Sequence, residues 1–90
     1  MVTNIPRESF ELRAKAEVIP ELYGGRRWVR VVKVEPADEA GWCWVALTYE
    51  HFDQACRYVL GHDTEVEVIA PEEMRRTVAE LAADVAQKYL

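Results

Sequence analysis

Trp42 and Trp44 stand in the stretch GWCWVALT, where an extended backbone aims both to one side. Arg13 and Lys15 have the same spacing of two. Arg26, Arg27, Arg30 and Lys33 form the one basic cluster. Aromatic rings between cations on an open sheet are the ingredients of a platform that stacks single-stranded nucleic acid. A plainer reading packs the tryptophans under a helix or at a subunit interface and leaves the arginines in water. His51, His62, Cys43 and Cys56 invite a zinc site. They show no CxxC or HxxxH pairing, and both cysteines fall on apolar faces, so structural cysteines and surface histidines are expected. Nothing places a base beside either thiol for nucleophilic chemistry. The acidic run Asp63, Glu65, Glu67, Glu72 and Glu73 reads as the wet face of an edge strand and favourable charge at a helix start, ahead of a cation site. No catalytic group, metal site or cofactor is expected.

These residues need a frame, and the bulk properties bound it. Ninety residues make one domain with a single core. Half of them are hydrophobic, which excludes a disordered chain. The net charge of −5 opposes charge-driven binding to duplex DNA. Two cysteines are too few for a disulfide scaffold and point to a reducing compartment, the cytoplasm. Residues 1–7 read as a linker remnant or flexible lead, with no signal peptide, and no apolar run approaches a membrane span. Residues 8–90 are then the single domain.

Within it the periodicities alternate. Phe10, Leu12, Ala14 and Ala16 oppose Glu11, Arg13, Lys15 and Glu17, which predicts a half-buried strand. Residues 18–25 form a short helix, with Pro20 in its first turn and Val18, Ile19, Leu22 and Tyr23 as its apolar contacts. A second strand runs over 26–35, its phase ambiguous because Val31 and Val32 are adjacent. A turn at 36–41 leads to a third strand at 42–48, apolar on both sides and therefore central or covered. Thr48 then caps a helix carrying Phe52, Ala55, Cys56, Val59 and Leu60 at amphipathic spacing, and Gly61 ends it. TEVEVI, residues 64–69, is the fourth strand, with Val66 and Val68 inward. Pro71 opens the last helix at its first position, and Met74, Val78, Leu81, Val85 and Tyr89 line one side. The order β-α-β-β-α-β plus a terminal helix predicts an α+β, ferredoxin-like antiparallel sheet with an additional C-terminal helix.

The strand GWCWVALT, the helix ending RYVLG, and the close TEVEVIAPEEMRR with its last helix reaching Lys88 and Tyr89 resemble one known module. It is the C-terminal extension, or WCX, domain of WYL-domain bacterial transcription regulators of the helix-turn-helix, DeoR-like kind. The resemblance spans about residues 8–90 and carries no catalytic signature. It implies a non-catalytic module for regulation, dimerisation and effector sensing. Its partners would be the WYL and helix-turn-helix domains of a longer regulator, which alone reach promoter DNA, and a second copy of itself. The effector would be a single-stranded nucleic acid or a small molecule, and no membrane is involved. Effector contact is expected at Arg13, Lys15, Arg26, Arg27, Arg30, Trp42 and Trp44, and self-association at Val85 and Tyr89. The alternative is a stand-alone small-molecule-sensing or assembly module of the same fold, unrelated to transcription.

Overall fold

A computed structural model describes residues 8–24 and 28–90. The elements run β1 (Glu8–Lys15), a 3-10 turn (Ala16–Val18), α1 (Ile19–Tyr23), β2 (Val29–Val34), β3 (Trp42–Tyr49), α2 (Phe52–Leu60), a second 3-10 turn (Asp63–Glu65), β4 (Val66–Ala70) and α3 (Glu72–Gln87). The strands form one four-stranded sheet in the order β2-β3-β1-β4, with all three pairings antiparallel. The chain is thus α+β.

One side of the sheet is the core. Phe10, Leu12 and Ala14 of β1 and Cys43, Val45, Leu47 and Tyr49 of β3 are buried by strict alternation. Leu22 from α1, Ala55, Cys56, Tyr58 and Val59 from α2, and Met74 from α3 join the same cluster. All three helices therefore feed a single core on one side, and α3 lies against α2 and β4. The other side of the sheet is not covered by α3. β3 is central, as expected, but only one of its two apolar sides is covered.

Several local expectations shift. Ala16 leaves the β1 alternation, because the chain turns into a 3-10 helix there and the residue is exposed. Tyr23, expected among the apolar contacts, is the last residue of α1 and is 64% exposed. The ambiguous phase of β2 resolves through a bulge between Val31 and Lys33, which turns Val32 outward. Thr48 does not cap α2: β3 continues through Tyr49, and His51 occupies the cap position without a side-chain bond. Pro71 is the cap residue of α3, one place before the helix begins. Gly61 ends α2 with a right-handed φ of −67°. The left-handed conformation falls two residues later, on Asp63 at φ 56°. In the β2–β3 turn Gly41 has φ 86°, open to glycine at little cost. Asp38 Oδ1 there accepts the backbone N–H of Ala40 and of Trp42, both at 2.9 Å. This side-chain turn delivers Trp42 into the strand in register.

Candidate functional site: the open sheet surface

The β3–β1 register lays Trp44 opposite Arg13 and Trp42 opposite Lys15. Directly opposed side chains touch, so the tryptophans and the cations meet as the alternation requires. The Arg13 guanidinium carbon lies 4.5 Å from the Trp42 ring centroid, and Lys15 Nζ lies 4.9 Å from it. Each such contact is worth about 0.5–1 kcal/mol at an exposed site. Arg13, Lys15, Trp42 and Trp44 are therefore one constellation. Trp44 remains 43% exposed, and Trp42 is half-buried.

The other expected contacts are placed differently. Arg30 pairs with Thr48, at the far end of β3 from Trp42. It faces the same open side, yet Thr48 lies six positions along β3 from Trp42 and four from Trp44, about 20 Å and about 14 Å. Lys33 faces that side too, beside Ala46, and pairs with Glu35 at 3.1 Å. Arg26 and Arg27 lie outside the described residues. Of the cluster, the two described members, Arg30 and Lys33, thus lie along β2 away from the Trp42 ring.

Two acidic residues join the constellation. Trp44 donates its indole N–H to Glu11 Oε1 at 2.7 Å. Arg13 donates Nε–H to Glu67 Oε1 at 2.8 Å. Glu67 was expected only as part of a solvated edge; the β1–β4 register sets it directly opposite Arg13. Glu11 shares the wet side of β1 with Arg13 and Lys15 in the alternation, but its tie to Trp44 depends on cross-strand register. The ring of Trp42 thus carries cations, and the positive charge of Arg13 is partly answered. The surface is mixed in sign and apolar at its centre.

Glu67 also links this surface to α3. Its Oε2 lies 4.0 Å from Arg75 Nη1, and Arg75 in turn approaches Glu72 at 3.8 Å. Arg75 Nη1 donates to the Val68 carbonyl at 3.1 Å, which takes up an acceptor on the β4 edge. A cleft of about 280 Å³ opens beside the tryptophans, lined by Arg13, Pro36, Asp38, Trp42, Cys43 and Trp44.

The remaining chemistry-bearing residues sit elsewhere. Cys43 and Cys56 are buried and unbonded to each other, and burial pushes the Cys56 thiol up. His51 stacks edge-on with Trp28 at 6.3 Å, and His62 with Tyr58 at 5.0 Å. Among the described residues no three His, Cys, Asp or Glu side chains gather where they could hold a metal. No helix of the described residues is long and apolar enough to cross a membrane. The apolar line of α3 divides along its length. Met74 is buried, Val78 and Leu81 pack partly against the core, Val85 is 48% exposed, and Tyr89, expected on the same face, falls past the end of the helix at Gln87 and is 84% exposed.

The family model of the WCX domain matches residues 6–86. No curated protein and no solved structure matches the chain. The match spans most of the chain, and the chain belongs to the WCX domain family.

Proposed function

We propose that this WCX domain is the non-catalytic C-terminal regulatory module of a WYL-type bacterial transcription regulator. Its open sheet surface receives an effector, and the far end of α3 joins a second copy. Promoter binding belongs to the helix-turn-helix domain of the full regulator. The module works in the cytoplasm by biasing how paired DNA-binding domains are held, which is a coupling between separate sites.

The observation that carries this reading is the Trp42–Trp44–Arg13–Lys15 constellation, left uncovered by any described element. Large aromatics and arginine that survive at a surface are the usual anchors of recognition. Single-stranded nucleic acid is the weaker effector class, because Glu11 and Glu67 stand among the cations and Trp42 already carries Arg13. A small molecule is the stronger one. The exposed Val85 in the last turns of α3, a helix anchored by Met74, and the exposed Tyr89 just past its end support self-association.

The architecture also supports the ferredoxin-like assignment. The order β2-β3-β1-β4 inserts β3 between β1 and β2, as a split βαβ unit does, with the helices on one side.

The test is a paired one on the full-length regulator. Trp44→Ala is expected to abolish the effector response while leaving promoter affinity without effector unchanged. A variant that still responds fully would remove the open surface from the reading.

A further inference from the structure

The geometry points to a ligand class for the cleft beside Trp42: it is a site for a small aromatic carboxylate. This rests on the reading of the open surface as the sensing surface.

The walls come first. Trp42, Trp44 and Pro36 give the cleft flat apolar sides. Its volume of about 280 Å³ lies at the small end of ligand pockets, which suits a single ring. Flat rings meet indoles favourably in offset or edge-on contact.

Arg13 supplies the charge. Its guanidinium is laid against the Trp42 ring at 4.5 Å, and Glu67 holds Nε at 2.8 Å. Both contacts orient the planar group. Among the described residues, its hydrogen bond to Glu67 uses Nε alone, and the side chain is 43% exposed. The two terminal nitrogens therefore present a pre-oriented fork, and a carboxylate is the group that matches it with two bonds. Lys15 Nζ, 4.9 Å from the same ring, adds a second positive charge.

Asp38 sets the direction. Its carboxylate lines the cleft and is held by the N–H groups of Ala40 and Trp42. It repels an acid from the turn side, so the ligand's carboxylate faces Arg13 and its ring lies towards the indoles. The groove between α2, β4 and α3 offers no comparable donor. The arginine there, Arg75, already donates to the Val68 carbonyl and has Glu67 and Glu72 beside it.

The experiment is a titration of the full chain with benzoate, followed by the three tryptophan indole N–H resonances in proton–nitrogen correlation spectra. The expected result is saturable movement of the Trp42 and Trp44 signals with Trp28 still, at a Kd on the order of 1 mM or tighter. Benzamide, equal in shape but uncharged, should bind at least about tenfold more weakly. Arg13→Gln should erase the difference between the two probes, and Arg13→Lys should restore only part of it. Linear, non-saturating shifts would overturn the site. So would equal binding of benzamide, or movement of Trp28 in place of Trp42 and Trp44. Such a failure removes the ligand class alone. Loss of effector response in Trp44→Ala of the full regulator would still stand for the open surface, so the two readings fail separately.

Discussion

Arg13 and Glu67 join the interior strand β1 to the edge strand β4 through a 2.8 Å hydrogen bond on the uncovered side of the sheet. Glu67 is also 4.0 Å from Arg75 on α3, so one carboxylate stands between the sheet surface and the helix. The pair thus sits where the open surface of the sheet meets α3.

Its contribution to stability should nonetheless be small. Both side chains are nearly half exposed, at 43% and 46%, where water screens the pair. A double-mutant cycle with Arg13→Gln and Glu67→Gln, read by urea denaturation, should give a coupling of about 0.2–1 kcal/mol. The coupling should shrink further in 1 M salt, where the Debye length is about 3 Å. A coupling that salt leaves unchanged would mean the pair is shielded from solvent.

Tyr58 should weaken the fold at alkaline pH, as should Tyr49 and Cys56, whose pKa values burial also raises. The Tyr58 ring is buried, its hydroxyl donates to the Leu22 carbonyl at 3.1 Å, and burial pushes its pKa up to about 12 from 10.0. The folded state therefore keeps the proton where the unfolded chain has lost it. Stability from this group is complete below pH 10 and falls as pH rises from about 10 to 12, by an amount on the order of 2–3 kcal/mol. Tyr58→Phe should cost about 0.5–1.5 kcal/mol at neutral pH through the lost hydrogen bond. It should also flatten the decline above pH 10, measured as thermal midpoints across the alkaline range. An unchanged alkaline profile would assign the decline to another group.

The two halves of α3 should answer different measurements. Met74 is fully buried among the core residues, so Met74→Ala should cost about 2–5 kcal/mol in denaturant unfolding. Val85 and Tyr89 are exposed, so Val85→Ser with Tyr89→Ser should change monomer stability by no more than about 0.5 kcal/mol per site. Light scattering should instead show the pair of substitutions lowering the mass from near twice 10.4 kDa to that of one chain. A wild-type chain that stays monomeric at high concentration would end the self-association reading.

Much of this frame is legible in residue types, and the exceptions have local causes. Period-two alternation in β1 identifies Phe10, Leu12 and Ala14 as core, and Glu11, Arg13 and Lys15 as the opposite side. Amphipathic spacing does the same for Ala55, Cys56 and Val59. Tyr58 escapes that pattern because the partner that satisfies its buried hydroxyl, the Leu22 carbonyl, lies 36 residues away in sequence. The β2 bulge escapes because adjacent valines fit either phase, and only the partner strand decides. At the site, alternation puts Trp42 with Trp44 and Arg13 with Lys15. It cannot pair Glu67 with Arg13, since that needs the register of β4 on β1. For Arg30, expected as an effector contact on its charge, only the β2–β3 pairing places it, opposite Thr48 at the far end of β3 from Trp42.

The mixed signs of the open surface make a specific demand of polyanions. A single strand gains affinity by stacking bases on exposed rings and by neutralising phosphates, and each neutralised phosphate adds to the salt dependence. Here Trp42 is faced by Arg13 and Lys15, the Trp44 indole N–H is tied to Glu11, and Arg13 is bound to Glu67. The whole chain carries −5. Fluorescence anisotropy of a labelled oligo(dT) at low salt should therefore stay flat for the wild type. Glu11→Gln with Glu67→Gln removes both answering negative charges and reduces the net charge. That variant should gain weak binding that fades between about 50 and 200 mM salt. Salt-sensitive binding already present in the wild type, and lost in Trp44→Ala, would instead make single-stranded nucleic acid the ligand of this surface.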